Sequence, residues 1–144
     1  MEKTNQNLQS GFTIIEIMVV VVIIGILMAA LIPAYQGYQR RARRSATTVH
    51  MKRIQAAIDG YFEDVGEYPQ TLENLSKEPT DERKERWHGP YFETKDKRAP
   101  KDAFGIPYKY TVTPDAENPY ELIAYGGSKG KNEPRREWLD VWKL

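Results

Sequence analysis

The chain has 144 residues, with 21 basic residues against 20 acidic ones, a formal net charge of +1 and no cysteine. The near-zero net charge gives no electrostatic argument for nucleic acid as the partner. The absence of cysteine excludes disulfide bonds, thiol catalysis and cysteine-ligated metal sites. Because a polar leader and an apolar segment take up the start of the chain, its length leaves room for one modest globular unit.

A run of apolar residues from 12 to 32 contains a single charge, the carboxylate of Glu16. As a helix this run is roughly 31 Å long, which is enough to cross the hydrocarbon core of a bilayer. A carboxylate inside such a span costs several kcal/mol unless it finds a partner. Cleavage after Gly11 would create a positive amino group on Phe12, one helical turn before Glu16. The pattern therefore predicts a cleaved leader, residues 1–11, followed by a membrane-spanning helix that assembles through residues 12–32.

Two ordinary explanations fit this start less well. A secretory signal peptide has a basic start and an apolar core of about 7 to 15 residues, whereas this run is longer and Lys3 is the one basic residue before it. A plain membrane anchor explains neither Glu16 nor the junction between Gly11 and Phe12.

The sequence predicts that an amphipathic helix continues over residues 33–65, beyond a kink at Pro33. Gly66 is the predicted end of this helix. Apolar residues at helical spacing define one face, namely Ile54, Ala57, Ile58, Tyr61, Phe62 and Val65.

Residues 66–144 are predicted to form an α+β head, in which a small three-stranded antiparallel sheet packs against the end of the long helix. Residues 77–101 are crowded with charges of both signs and are predicted to be a solvated connection. The other predicted elements are a turn at 66–69, a short helix at 71–76, a strand hairpin at 108–113 and 120–125, and a third short strand at 137–142.

The start of the chain resembles the class III signal of type IV pilins and pseudopilins. The residues that carry the resemblance are Pro33, which closes the apolar run, and the motif Gly11-Phe12-Thr13-Ile14-Ile15-Glu16. The resemblance implies that a prepilin peptidase on the cytoplasmic face cuts after Gly11 and methylates the new N-terminus at Phe12. It also implies that Glu16 neutralises the N-terminal amine of a neighbouring subunit in a helical filament.

Later segments are similar to the major pseudopilin of type II secretion systems. Residues 66–69 match its Gly-x-Tyr-Pro turn, residues 102–108 resemble its Asp-Pro-Trp-Gly-x-Pro-Tyr segment, and a tryptophan-containing segment ends the chain. The resemblance implies a structural subunit, not an enzyme, that polymerises with copies of itself into a periplasmic pseudopilus driving protein export. It implies as partners the prepilin peptidase, minor pseudopilins, the inner-membrane secretion platform and the lipid bilayer, and no nucleic acid.

Two features of the sequence predict opposite orientations of the chain in the membrane. Four arginines follow the apolar run, and the positive-inside rule alone would place that side in the cytoplasm; they are Arg40, Arg41, Arg43 and Arg44. The resemblance implies a single pass through the bacterial inner membrane, with the head in the periplasm. We follow the resemblance, because the rule is a bias and the arginines begin about two helical turns beyond Ile32.

The resemblance also implies a calcium ion in the loop before the last strand, with aspartate ligands. Calcium takes about six to eight oxygen ligands, usually including several carboxylates. The corresponding loop here, residues 128–139, sets four cations against two glutamates; the cations are Lys129, Lys131, Arg135 and Arg136. This charge argues against calcium, so no cofactor is firmly predicted, and Glu133 and Asp140 are the remaining candidate ligands. The alternative is that the cations form salt bridges with acidic groups such as Glu117 or Glu121, in the same subunit or a neighbour.

Other side chains suggest little further chemistry. His50 and His88 have no obvious serine partner in the sequence, so both are expected at the surface and no catalytic residue is predicted. The aromatic residues of the head are expected in its core rather than as a platform for bases. The four arginines after the membrane span are expected to face lipid headgroups or acidic residues of a neighbouring subunit.

Three functions therefore remain open. The first is a major pseudopilin of a type II secretion system, and the second, a close variant, is a type IV or competence pilin. The absence of cysteine favours the first, because many major type IV pilins close a C-terminal disulfide loop. The third is a membrane-anchored binding module that works as a monomer, which the oligomeric state of the solubilised protein would distinguish from a filament subunit.

Overall fold

The computed structural model describes residues 11–94, 96–114 and 116–144, apart from the side chain of Ala34. The chain divides into two units, the first ending at Gln39 and the second beginning at Arg40. Of the predicted leader, residues 1–11, all but Gly11 lies outside the described residues.

One long helix, α1 (Ile14–Val65), contains Pro33 and carries both the apolar run and the amphipathic segment. It starts two residues after the predicted boundary at Phe12 and ends where predicted. The N–H of Gly66 donates to the carbonyl oxygen of Phe62 at 2.8 Å and closes the last turn. The kink predicted at Pro33 stays a prediction.

In the first unit, the large apolar side chains of α1 are exposed on every side of the helix. An 18-residue window has a mean hydropathy of 3.0, and none of it is buried. A helix that is apolar all round needs a surrounding other than water, such as lipid or other helices. The length and composition therefore agree with the predicted span over residues 12–32.

In the second unit, one face of α1 supplies much of the core of the head. Met51, Ile54 and Ile58 have no exposed surface, and Tyr61 and Val65 are 1% exposed. These residues are three or four positions apart, so they line one side of the helix. The predicted face is therefore confirmed for these positions, and Met51 extends it by one turn.

Phe62 is an exception to the predicted face. It is 40% exposed, and its ring stacks on Tyr68 with the centroids 4.5 Å apart. The prediction of a core position for Phe62 was therefore wrong, because Phe62 lies at the margin of the apolar face.

Three antiparallel strands form a sheet in the order β1-β2-β3, and its inward-facing side chains lie in the same hydrophobic cluster as this face. The strands are β1 (Lys109–Val112), β2 (Tyr120–Ala124) and β3 (Leu139–Asp140). Tyr110 is opposite Leu122 in the first pairing, and Ile123 is opposite Asp140 in the second. Leu122 is fully buried and Tyr120 is 1% exposed, so β2 lies at the centre of the sheet and of the core.

The third strand is shorter than the predicted range 137–142. Backbone turns flank it on both sides, and the carboxylate of Asp140 accepts a hydrogen bond from the N–H of Trp142 at 3.1 Å. This cap starts a new turn and ends the extended segment after two residues. The short 3₁₀ helices within the described residues are Leu72–Leu75, Glu82–Arg86, Gly130–Asn132, Arg135–Glu137 and Val141–Lys143.

The segment 77–101 is less solvated than predicted. Its aromatic side chains Trp87, Tyr91 and Phe92 pack against the core, and the N–H of Tyr91 donates to the carbonyl oxygen of Leu75 at 2.8 Å. The tyrosine hydroxyl donates to Asp64 of α1 at 2.7 Å. The sequence did not predict this packing, because charged residues dominate the composition of the segment, whereas its few aromatic rings are the side chains that pack against the core.

Candidate functional site

Thr13 caps the N-terminus of α1, next to the predicted cleavage point. Its side-chain oxygen accepts a hydrogen bond from the N–H of Glu16 at 3.3 Å, and its carbonyl oxygen accepts from the same N–H at 3.1 Å. A threonine followed three residues later by glutamate is a known helix-start pattern. This spacing in the sequence could have predicted that the helix begins after Thr13.

The predicted processing and assembly residues lie together at this end of the helix. Gly11 is exposed, and Phe12 is 80% exposed and precedes the first helical residue. Glu16 lies in the first turn and is exposed. None of the described residues gives its carboxylate a hydrogen bond or an ion pair. Among the described residues, the junction between Gly11 and Phe12 and the carboxylate of Glu16 are therefore exposed, and their roles in cleavage and assembly stay predictions.

A second cluster of charges connects α1 with the C-terminal loop, residues 126–138, which joins β2 to β3. The Nη1 atom of Arg44 donates to the carbonyl oxygen of Glu137 at 3.0 Å and lies 2.5 Å from its Oε2. The same nitrogen is 3.5 Å from the carbonyl oxygen of Gly126. A terminal nitrogen of Arg40 is 3.6 Å from a carboxylate oxygen of Glu133 and 3.6 Å from one of Glu137. The helix therefore supplies two guanidinium groups to the carboxylates of the loop.

This arrangement differs from two sequence-based expectations. The loop cations were expected to pair with acidic groups such as Glu117 or Glu121, in the same subunit or a neighbour. Within this subunit Arg136 lies 3.9 Å from Glu137, and Glu121 forms an ion pair with Lys109 on β1. The arginines after the membrane span were expected to face lipid or a neighbour, but Arg40 and Arg44 contact acidic groups of their own chain. The sequence could not reveal these pairs, because Arg44 and Glu137 are separated by 93 residues.

The two candidate calcium ligands, Glu133 and Asp140, contact different parts of the chain. The side chain of Glu133 is 9% exposed and contacts Arg40, and it accepts a hydrogen bond from the N–H of Lys129 at 3.2 Å. Asp140 caps the last 3₁₀ helix and lies 3.4 Å from the Nζ of Lys143. Across the described ranges, no group of three or more metal-ligating side chains comes together.

The two histidines have different surroundings. The Nδ1 atom of His50 lies 2.7 Å from the hydroxyl of Tyr108, and its ring is 5.3 Å from that of Phe92. His50 is therefore half-buried, and the expected surface position was wrong for it. His88 is exposed as expected, with 71% of its side chain accessible, and lies 3.7 Å from Asp64.

Comparison with known families identifies the two parts of the chain. Residues 6–32 match the prokaryotic N-terminal methylation motif, and residues 34–142 match the type II secretion system protein G family. The chain belongs to the protein G family. The methylation motif and the apolar helix together indicate a membrane-anchored, pseudopilus-forming protein that the prepilin peptidase processes.

Relatives in the protein G family match most of the chain. Type II secretion system core protein G of Pseudomonas aeruginosa is 38% identical over 131 residues, which are 87% of this chain and 89% of the relative. The core protein G of Escherichia coli is 33% identical over 141 residues, which are 90% of this chain and 91% of the relative. A type IV major pilin of Neisseria gonorrhoeae is 38% identical over 76 residues, which are 51% of this chain and 46% of the pilin.

The fold also has a solved counterpart. The crystal structure of the major pseudopilin from the type 2 secretion system of enterohaemorrhagic Escherichia coli has a TM-score of 0.56 and 21% identity, with 76% of this chain and 94% of the counterpart covered. The predicted fold class, a long helix with a three-stranded antiparallel sheet, is confirmed. This chain therefore shares the fold of that pseudopilin.

Proposed function

We propose that copies of this chain polymerise into a periplasmic pseudopilus that drives protein export through a type II secretion system. One observation carries the proposal: the exposed apolar part of a methylation motif lies on the same helix as core residues of a protein G head. The combination gives each copy a membrane anchor before assembly and a helix that neighbouring copies can surround after it.

The proposal assigns Glu16 to assembly. A carboxylate among apolar side chains costs several kcal/mol unless it is paired. Cleavage after Gly11 supplies the matching charge, the amino group of Phe12. We assign the pair to two copies of the chain, so that the amine of one subunit neutralises the carboxylate of its neighbour.

The proposal also assigns location and partners. The chain passes once through the bacterial inner membrane, with its head in the periplasm. The prepilin peptidase processes it, the inner-membrane secretion platform polymerises it, and minor pseudopilins join the same filament. Before assembly the lipid bilayer surrounds residues 12–32.

We assign the chain no enzymatic role. The titratable groups of the head serve its architecture: His50 contacts Tyr108 in the hairpin, and Asp140 caps the last turn. Protein G is a structural component, and the same role explains this head.

A type IV or competence pilin remains the second candidate. The pilin relative supports it, since the methylation motif and apolar helix are shared features of both groups. The match to that pilin covers 51% of this chain, however, whereas the match to the protein G of Pseudomonas aeruginosa covers 87%. The pseudopilin is therefore favoured over the pilin.

Electron microscopy of sheared material tests the proposal. The full chain is overproduced in cells that carry the peptidase and the secretion platform, with cells that lack either one as the controls. Filaments containing the chain that need both the peptidase and the secretion platform would support the pseudopilus. Filaments that need pilus-assembly genes instead would support the pilin, and a monomer in mild detergent with no filaments would support the binding module.

A further inference from the structure

The guanidinium group of Arg44 faces several oxygen atoms of the C-terminal loop. Two backbone carbonyl oxygens, of Gly126 and Glu137, and one carboxylate oxygen of Glu137 face the same nitrogen. About a quarter of each side chain is accessible, at 27% for Arg44 and 28% for Glu137. These contacts are therefore less exposed to screening by solvent than an ion pair on an open surface.

The C-terminal loop is shaped to allow this approach. Gly126 has a φ of +73°, and a Cβ built on it would lie 1.9 Å from the carbonyl oxygen of Glu137 and 2.9 Å from the Nη1 of Arg44. A larger residue would push the loop away from α1. The absence of a side chain at Gly126 thus allows the carbonyl oxygens of Gly126 and Glu137 to lie close to the same nitrogen of Arg44.

The same residues do not fit the calcium ion that the resemblance to pseudopilins implies. Calcium needs several carboxylate oxygens, and those of Glu133 and Glu137 already face the guanidinium groups of Arg40 and Arg44. A divalent ion placed there would be repelled by both arginines. Asp140, the other candidate ligand, contacts Trp142 and Lys143 instead.

We propose that Arg44, assisted by Arg40, supplies the positive charge that holds the C-terminal loop on α1, so that the fold of the head does not depend on calcium. A guanidinium suits this role because it carries several donors in a fixed plane and keeps its charge at every physiological pH. Since the arginines belong to the same chain, they are present at every copy. The loop is then closed on α1 whatever the metal content of the surroundings.

Thermal unfolding of the full-length chain in neutral detergent tests this inference. Near-ultraviolet circular dichroism follows the unfolding of the head, with millimolar calcium or with a chelator. The Tm of the wild type is expected to be the same in both. Arg44→Gln is expected to lower the Tm by roughly 5 to 10 °C, and Arg44→Lys, which keeps the charge, is expected to restore part of the loss.

Arg41→Gln is the matched control, because Arg41 is an exposed arginine on the same stretch of helix. A second measurement reports on the loop itself: trypsin cleavage after Lys129, Lys131, Arg135 or Arg136, well below the Tm. We expect cleavage to be about tenfold faster in Arg44→Gln than in Arg41→Gln, because the loop opens more often.

Two results would overturn the inference. The first is a wild-type Tm that rises by several degrees with calcium, since the metal would then bind where we place the arginines. The second is an Arg44→Gln variant whose Tm and loop cleavage equal those of Arg41→Gln. Neither measurement depends on filament assembly, so the outcome is independent of the proposed function.

Discussion

The Nδ1 atom of His50 on α1 lies 2.7 Å from the hydroxyl oxygen of Tyr108, the residue before β1. Burial lowers the pKa of His50 below its ordinary value of 6.5, the nearby Arg53 lowers it further, and Asp102 opposes both. Burial also raises the pKa of Tyr108. At neutral pH, both partners of this contact between the helix and the hairpin are therefore uncharged.

The lowered pKa makes the stability of the head depend on pH. The unfolded state protonates His50 at a higher pH than the folded state does, so stability is lost as the pH falls from 6.5 toward the folded pKa. We expect the free energy of unfolding to decrease between about pH 7.5 and about pH 5, and to decrease less in His50→Gln. Urea unfolding at each pH measures this, with the exposed His88→Gln as the control. An unchanged pH slope in His50→Gln would contradict the prediction.

Cleavage after Gly11 is expected in cells that possess the prepilin peptidase. The junction is exposed, and the residues around it match the methylation motif. Mass spectrometry of the membrane-extracted protein should find a chain that starts at Phe12 and carries an N-methyl group. An intact chain of 144 residues in such cells would show that the motif is not used.

Replacement of Glu16 is expected to abolish assembly without damage to the head. Glu16→Ala removes a charge from an apolar helix, so insertion into the membrane should be normal or easier. Filaments should be scarce, because the amine of Phe12 loses its partner. The measurement is the filament yield in sheared fractions, together with the amount of the chain in membranes. Ile17→Ala, which shortens a neighbouring apolar residue, is the control, and a normal filament yield from Glu16→Ala would refute the pairing.

Gly126→Ala is expected to destabilise the head by about 2 to 4 kcal/mol, because the new Cβ would collide with the loop backbone as well as adopt a strained φ. The matched control is Gly105→Ala. Gly105 has a similar φ, +82°, but a Cβ there would meet nothing within 4 Å. Gly105→Ala should therefore lower the free energy of unfolding by only about 1 kcal/mol. Urea unfolding compares the two, and equal losses would mean that the close approach at Gly126 contributes nothing.

Ile58→Ala is expected to cost about 2 to 5 kcal/mol, because it leaves a cavity in the core. Ile58 has no exposed surface, whereas Val49, on the same helix, is 53% exposed. Val49→Ala should therefore change stability by less than about 0.5 kcal/mol. The same unfolding measurement serves both variants, and similar losses would show that the core is placed incorrectly.

Local patterns in the sequence predicted much of the fold. The spacing of Ile54, Ile58 and Val65 predicted the buried helix face, and Gly66 predicted its end, because both depend on neighbours along one helix. The alternation of apolar and polar residues around Tyr110 predicted β1, because this pattern too depends only on residues that are close in the sequence. The sites at Gly11 and Glu16 also rest on a short local motif, and their roles in cleavage and assembly stay predictions.

Contacts between distant residues could not be predicted in this way. The pairing of Arg44 with Glu137 depends on the path of the chain through the whole head. Tyr91 lies among charged residues, and its burial follows from contacts with Leu75 and Asp64 that the local composition conceals. Such pairs become visible only when the three-dimensional arrangement is known.

The strand order β1-β2-β3 has a consequence for aggregation. It leaves β1 and β3 at the edges of the sheet, and an exposed edge can add a strand from another molecule. Here β3 has two residues and β1 has four, with exposed Lys109 and Thr111. Short strands and an edge lysine discourage strand addition. At high local concentration, copies of this chain are thus protected from joining through the edges of their sheets.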